Sequence, residues 1–526
     1  MVNILIKAKE LILKCAKSKR LSNLTLIFSG ILGTLPYFAE ELFLFTFVSL
    51  LALFYIVITQ RRVCKRTFAP FFMYFLGFYT PLYFFLSELY PYDRFGFSGS
   101  QAGLIAVCSC ILIPLLHAAV TSLVMLISKW IKDDWKLIFG YAGMWVIHEW
   151  VLSLGNMAFP WSNIAVSLTG VIPCLQTASL FGKDFISFIT IAACVAFIFA
   201  VKEKKRAFAV TGALIIAVNF ILGTALMYID KSTAETVPAA VVQGNVLSNE
   251  KWIQGNSERI LDTYVSMSKE AADNGAKIII LPESAIPFTF TENGIIHKEL
   301  AKICKERNVT IITGINYREQ GVLYNSVIGI YPNGELSVRY DKRHLVPFGE
   351  FIPLVNLLGK IIPFVAEFSA DSGNYSQGTE AVVIDTEYGK IVPLVCFDSI
   401  FSKYAREGAA NDGELIAVVT NDSWFNDSQG IYTHLRHGQI RAIETGKYIA
   451  RAANTGISAF IDDKGRIIEK SGALTKDIVY CDLSMIKDKT LYTYLGDVIL
   501  YASFGITIVL IILNFRGIKN GKNPTA

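Results

Sequence analysis

Four stretches of this chain each put a reactive side chain where an apolar run stops. Residues 277–281 lead into Pro282 and Glu283, and residues 391–395 lead into Cys396, Phe397 and Asp398. Between them lies Tyr340-Asp341-Lys342-Arg343-His344-Leu345-Val346-Pro347-Phe348-Gly349-Glu350, and after them comes Thr420-Asn421-Asp422-Ser423-Trp424-Phe425. A thiol, carboxylates and an amine are the components of nucleophilic catalysis through sulfur. The thiolate is the attacking species, and a free thiol is scarcely ionised near neutrality, so it needs an activating neighbour. Taken singly the signals are weak. A lone cysteine after a strand is most often a buried hydrophobe, Glu283 alone could cap a helix, and Lys342 could be a solvated charge. His344 is a tempting base for Cys396, but a histidine beside a Pro-Phe-Gly turn is more often structural. Glutamate, lysine and cysteine together, in this order and context, point to a site.

Such side chains need a rigid frame, and strand ends supply one. Residues 239–242, 277–281, 310–315, 326–331, 381–384, 391–395, 415–419 and 458–461 read as strands, with hairpin turns at 332–335 and 462–465. Residues 256–272 and 433–445 read as helices, the first with Ile260, Leu261, Tyr264 and Met267 along one face. Strands mixed with helices in one region predict an α/β layered domain.

The rest of the chain belongs to a different solvent. Only 18% of the 526 residues are charged and 53% are hydrophobic, whereas soluble chains carry about a quarter charged residues. A helix needs ~20 mostly apolar residues to cross a bilayer. Candidate spans lie at 22–38, 40–59, 68–88, 103–128, 137–154, 180–201 and 207–229, with one more at 493–515. The first lacks a small-residue cleavage site and is followed at once by another span, so it is expected to stay a span. Residues 155–179 are semi-polar and read as an outer loop or re-entrant piece. Every second connection is basic: Lys14 to Arg20, Arg61 to Arg66, Lys129 to Lys136, Lys202 to Arg206, and Arg516 to Lys522. Positive loops stay inside, so both termini are expected in the cytoplasm and residues 237–487 on the outer face. The predicted division is therefore a membrane domain of about seven helices at 1–236, a catalytic domain at 237–487, and a last span with a cytoplasmic tail at 488–526.

The net charge of +5 sits in short clusters between apolar runs, which suits topology and not nucleic-acid binding. Nine cysteines without CxxC or CxH spacing suggest neither a metal site nor a disulfide framework, and no cofactor is expected. Inside the membrane half, His148, Glu149 and Trp150 sit near the outer end of a span, followed by Phe159-Pro160-Trp161. An ionisable residue at that depth is a candidate functional group; the plainer reading is a helix–helix hydrogen bond and an interfacial aromatic belt.

These residues reach a family. The soluble region resembles the nitrilase superfamily, whose catalytic Glu, Lys and Cys follow one another in this order. The whole arrangement, several spans, a nitrilase-type domain and one last span, resembles the apolipoprotein N-acyltransferases. The segment 344–350, His-Leu-Val-Pro-Phe-Gly-Glu, is the most specific part of the likeness. The resemblance implies an αββα sandwich in which Glu283 is the general base, Lys342 stabilises the oxyanion and thioester, and Cys396 is the nucleophile. It also implies that Glu350 supports the site, and Trp424 and Trp161 fit family positions. Asp398 stands where the best-known members have Glu, and Leu281 where many have an aromatic residue.

The activity so implied is acyl transfer in two steps. A membrane phospholipid gives its acyl chain to Cys396, and the α-amine of a diacylglyceryl-cysteine on an apolipoprotein takes it. The partners are thus phospholipid and lipoprotein, with no nucleic acid, in a protein of the cytoplasmic membrane that is expected to be a monomer. Backbone N–H groups near Phe397 would join Lys342 at the oxyanion. The apolar segments 351–368 and 286–290 are expected to form a lipid-facing vestibule that keeps water from the thioester. The same three residues would also serve an amidase, or transfer to another external amine.

Overall fold

The computed structural model describes residues 18–519, apart from 65, 91–98, 133, 230–235, 252, 254, 348 and 352–374. Most of the apolar segment 351–368 lies outside the described residues. Among the described residues the membrane half has seven principal helices: α1 (Lys19–Phe38), α2 (Leu44–Cys64), α3 (Phe68–Leu82), α4 (Gly99–Leu126), α5 (Leu137–Val151), α6 (Lys183–Glu203) and α7 (Arg206–Met227). All but α5 belong to helical stretches long and apolar enough to cross a membrane. Their outward faces carry exposed Leu24, Phe28, Leu104, Leu112, Leu214 and Ile221, as lipid-facing surfaces must.

The sequence predicts a span over 137–154; the helix is shorter. At 15 residues and ~1.5 Å per residue, α5 covers only about 22 Å. Nevertheless it follows the same course as its neighbours. Arg61, at the basic end of α2, donates to the carbonyls of Ser128 and Ile131 in the connection leading into α5. At the far end Glu149 meets Ser187 in the first turns of α6. Small residues permit close crossings elsewhere in the bundle: a Cβ on Gly30 would strike the Tyr74 carbonyl, and one on Gly77 the Ile27 carbonyl.

Residues 236–484 fold into two facing sheets. One is ordered β13-β1-β2-β4-β5-β6, with β3 beside β4; the other is β12-β11-β10-β9-β8-β7. The strands are β1 (Thr236–Gln243), β2 (Ile278–Ile280), β3 (Thr289–Phe290), β4 (Thr310–Glu319), β5 (Val322–Ile330), β6 (Tyr340–Asp341), β7 (Ile384–Thr386), β8 (Gly389–Val395), β9 (Leu415–Thr420), β10 (Tyr448–Ala453), β11 (Ala459–Ile461), β12 (Ile467–Lys470) and β13 (Asp477–Ser484). Central strands pair in parallel, β1 with β2, β2 with β4, β8 with β9 and β9 with β10. Strands covered on both faces read as continuous apolar runs, which is why Ile278–Ile280 and Leu415–Thr420 are buried throughout.

Between the sheets lie Val241, Ile280, Ile312, Ile391, Val395, Leu415, Val419 and Phe460. Fully burying an Ile or Val contributes about 1.5–3 kcal/mol relative to exposure, so this layer fixes the register that places the strand ends. Helices α8 (Asn256–Asp273) and α9 (Ile295–Arg307) cover the first sheet. Helices α10 (Ser402–Ala410) and α11 (Gln429–Thr445) cover the second. The result is the expected αββα sandwich, and Ile260, Leu261, Tyr264 and Met267 are its buried face on α8. Ile286 and Phe290 also enter the core under α8 and α9, correcting the expectation that 286–290 lines a lipid-facing vestibule: their side chains are already covered by the sandwich itself.

After β13 the chain turns into α12 (Val498–Lys519), which is long and apolar enough to cross. It lies against α5, where a Cβ on Gly143 would come within 3.1 Å of the Ser503 carbonyl. Residues 155–179, read as an outer loop or re-entrant piece, form short helical turns at Ile164–Ser167 and Ile172–Leu175 and run into a third at Ala178–Phe181. Helix α11 rests on this layer and on the ends of the membrane helices. Gln429 donates to Leu82 O (2.7 Å), Arg436 to Pro36 O (2.7 Å) and Tyr37 O (3.2 Å), and His437 to Trp161 O (3.2 Å). Glu444 accepts from the backbone N–H of Lys183 at 2.9 Å.

Candidate active site

Glu283 sits three residues beyond β2, where the backbone leans on β4. A Cβ on Gly314 would come within 2.6 Å of Glu283 Cα, so only glycine admits this approach. Lys342 follows β6, and its backbone N–H donates to Asn325 O on β5 at 2.8 Å. Its ammonium lies 3.3 Å from Glu283 Oε1 and 2.9 Å from Glu350 Oε2. Asn325 Nδ2 ties the same two carboxylates, at 2.7 Å from Glu283 Oε1 and 2.8 Å from Glu350 Oε1. The Val346 N–H holds Glu350 Oε2 at 2.8 Å. Lys342 is only 1% exposed, and burial alone disfavours its charge. The carboxylates of Glu283 and then Glu350 outweigh that penalty and hold the ammonium well above its ordinary pKa.

Cys396 follows directly on β8 and opens a 3₁₀ helix, Cys396–Ile400. Its φ of 48° lies in the left-handed region, where a non-glycine residue is uncommon. Burial, then the Glu283 carboxylate, push its thiol well up, while Lys342 and the Thr420 hydroxyl pull it back. The resting site therefore holds a protonated thiol beside a buried ammonium.

Asp398 is fully buried, and its charge also favours the Lys342 ammonium, after those of Glu283 and Glu350. Its carboxylate accepts from Tyr340 OH (2.8 Å), His344 N–H (2.8 Å) and Arg343 N–H (3.4 Å), bracketing Lys342 from both sides. Burial raises its pKa to about 6 against the opposing effect of Lys342. His344 packs on Phe401 with ring centroids 4.2 Å apart, and its Nδ1 is 3.5 Å from Tyr404 OH. Burial, assisted by Lys342, lowers its pKa to about 4, and it belongs to an aromatic wall.

That wall continues through Phe397, which stacks on Phe159 at 5.9 Å, and Phe159 on Trp161 at 5.4 Å. Trp161 in turn meets Phe85 and Phe425. Trp424 is half-buried in the loop after β9. Glu149 lies in the layer beneath. It accepts from Trp145 Nε1 (3.1 Å), Asn163 Nδ2 (2.7 Å), Ile164 N–H (3.3 Å) and Ser187 Oγ (2.8 Å). Those four donors tie it to the turn that presents Trp161 and, through Ser187, to α6.

Sequence reasoning missed Asn325 and a second buried network. Asp422 Oδ1 lies 2.9 Å from His434 Nδ1 and Oδ2 lies 2.5 Å from Arg451, while His434 Nε2 reaches Cys396 O at 3.2 Å. Arg451, a charge inside the otherwise apolar strand Tyr448–Ala453, was the available signal. Donor atoms of Cys396, Asp422 and His434 lie within 4.8 Å of one another. Asp422 is already engaged by Arg451, His434 and Thr420 Oγ1, so the trio is a hydrogen-bonded relay and not an open set of metal ligands.

Fold and site together define a multi-pass membrane protein that carries a carbon–nitrogen-hydrolase-type sandwich. Residues 238–487 match the carbon-nitrogen hydrolase family, and residues 29–196 match the apolipoprotein N-acyltransferase N-terminal domain. The chain belongs to the apolipoprotein N-acyltransferase family. It is 28% identical to the apolipoprotein N-acyltransferase of Geobacter metallireducens, over 72% of this chain and 75% of that protein. With that of Haemophilus ducreyi it shares 29% over 77% and 81%, and with that of Haemophilus influenzae 28% over 92% and 93%. The solved Saccharomyces cerevisiae Nit3, a member of the nitrilase superfamily, covers 50% of this chain and 94% of its own at 17% identity and a TM-score of 0.39.

Proposed function

We propose that this protein moves an acyl chain from a membrane phospholipid, through a thioester on Cys396, to the N-terminal amine of a diacylglyceryl-cysteine on lipoproteins. The observation that carries the reading is the buried Lys342 ammonium held between Glu283 and Glu350 beside a thiol, in a chain whose other half crosses the membrane. Glu283 takes the proton of Cys396 as sulfur attacks the ester carbonyl. Lys342 and the Phe397 N–H receive the oxyanion, typically the largest single catalytic contribution. The ester C–O bond breaks, and Glu283 returns the proton to the departing lysophospholipid oxygen. In the second step the lipopeptide amine attacks the thioester and loses its proton to Glu283, which delivers it to the leaving thiolate.

Glu350 and Asn325 hold Lys342 and Glu283 in register, and Asp398 fixes the turn that carries Lys342. Phe397, His344, Trp161 and Trp424 form or flank the apolar wall along which lipid reaches the site, while Glu149 props that wall from below. We place the sandwich on the outer face of the cytoplasmic membrane, with both termini inside and the protein acting as a monomer. Basic connections on one side of the spans support that orientation. The division into 1–236, 237–487 and 488–526 follows the same logic.

Incubation of the purified protein with phospholipid and a diacylglyceryl peptide tests the reading. The expected result is an acyl chain in thioester linkage on Cys396, discharged by the peptide amine and absent from Cys396→Ala. Turnover of small amides without any acyl-enzyme would overturn it in favour of an amidase.

A further inference from the structure

The His434 relay touches the nucleophile's backbone and has no role in the acyl transfer just described. His434 lies on α11, fully enclosed. Its Nε2 is 3.2 Å from Cys396 O and 3.1 Å from Ser399 Oγ, and the Ser399 hydroxyl donates to the same carbonyl at 2.7 Å. A carbonyl oxygen cannot donate, so Nε2 carries the proton in that contact. The other ring nitrogen lies between Asp422 Oδ1 at 2.9 Å and an Arg451 guanidinium nitrogen at 3.1 Å. When the ring is neutral, Nδ1 accepts from Arg451; when it is cationic, Nδ1–H donates to Asp422. In either state Nε2–H stays on the Cys396 carbonyl. Burial and the Arg451 charge favour the neutral ring.

That carbonyl matters because of what lies across its peptide bond. A trans peptide is planar, so its C=O and the following N–H point in opposite directions. Two donors on Cys396 O therefore aim the Phe397 N–H the other way. Phe397 is also in the first turn of a 3₁₀ helix, where an N–H has no acceptor within the helix. Cys396 holds a left-handed φ of 48°, a conformation that persists only where its surroundings enforce it.

We infer that His434, set by Asp422 and Arg451, is a positioning residue that locks the Cys396–Phe397 peptide so that its N–H faces the oxyanion of the acyl-transfer step. The inference rests on the acyl-transfer reading. It predicts a dissociation between two reactions of one sulfur. Acylation by phospholipid passes through an oxyanion, whereas alkylation by iodoacetamide is a direct displacement at carbon that forms none.

The experiment compares both rates in the detergent-solubilised full chain, wild type against His434→Ala, His434→Gln and Ser399→Ala, with unfolding midpoints measured alongside. Losing one oxyanion donor typically costs ~10²-fold or more. His434→Ala is expected to slow acylation by about that factor while alkylation changes less than about threefold. His434→Gln keeps an N–H near the Nε2 position and is expected to recover most of the rate. Ser399→Ala, which removes the second donor, is expected to fall between them. Equal losses in acylation and alkylation would make His434 a base for the thiol and overturn the proposal, as would no loss in either. So would a Gln variant no better than Ala. Should His434→Ala not fold, the Gln and Ser399 variants decide by the same two rates. A wild-type protein that alkylates but never acylates would defeat the acyl-transfer reading itself, a result distinct from any of these.

Discussion

Asp398 and Asp422 lie just beyond the ends of neighbouring strands, yet their acidities diverge. Burial pushes Asp398 up to about 6. Asp422 is equally buried, but the Arg451 charge leads the effects that outweigh burial and hold it at about 2. Between pH 7 and 5, then, Asp422 stays ionised and Asp398 takes up a proton. A protonated Asp398 is a poorer acceptor for Tyr340 and for the N–H groups of Arg343 and His344, so the turn carrying Lys342 loosens. The expected outcome is an acid limb near pH 6 in the rate of acyl-enzyme formation. Stability responds with the opposite sign. The folded value lies above the ordinary 3.8, so ionising Asp398 costs the folded state stability, a cost relieved as pH falls from above 6 toward 4. Rate should therefore fall between pH 7 and 5 without a fall in unfolding midpoint from this group. Asp398→Asn should run more slowly and lack the limb; a limb kept unchanged in that variant would assign it to another group.

At the scale of elements, the site depends on how closely β4 passes the Glu283 turn. Adding one methyl group at Gly314 puts a carbon 2.6 Å from Glu283 Cα and from Pro282 O, both backbone atoms that cannot swing aside. Gly314→Ala is expected to shift Glu283 by about an ångström, and misplacement of that order costs ~10²-fold. Acyl-enzyme formation should drop accordingly while the chain remains membrane-inserted. A variant with wild-type rate would show the turn to be compliant. The strands that carry the site were legible because both sheets bury them on two faces, leaving unbroken apolar runs in 277–281, 391–395 and 415–419. Strand β10 was not, because Arg451 interrupts Tyr448–Ala453, and its charge makes sense only once Asp422 is seen beside it. Helix α9 escaped notice because lysines and glutamates surround its buried stripe of Ile296, Leu300 and Ile303. Glu283, Lys342 and Cys396 were readable by type and order. Asn325 and His434 act through atoms that folding brings from another strand and another helix, and nothing local announces them.

For the whole molecule, α11 is the member shared by both halves. One of its residues, His434, reaches the nucleophile turn, while Gln429, Arg436 and His437 hold the membrane layer through the carbonyls of Leu82, Pro36, Tyr37 and Trp161. Every one of those acceptors is backbone. A carbonyl oxygen is present whatever the side chain, so these hydrogen bonds constrain the path of the membrane segments. Identity counts at the rings that also meet the sandwich, Trp161 on His434 and His437 and Phe85 on Phe425. Away from those rings the docking surface can drift in sequence on the membrane side while α11 stays fixed, and the two halves become exchangeable parts. A chimera joining residues 1–236 of this chain to the sandwich of a relative only 28% identical should assemble and form acyl-enzyme, provided the incoming helix keeps its donors. In the present chain, Arg436→Ala removes the bonds to Pro36 O and Tyr37 O and should loosen the seam between the halves, seen as a sandwich more open to protease.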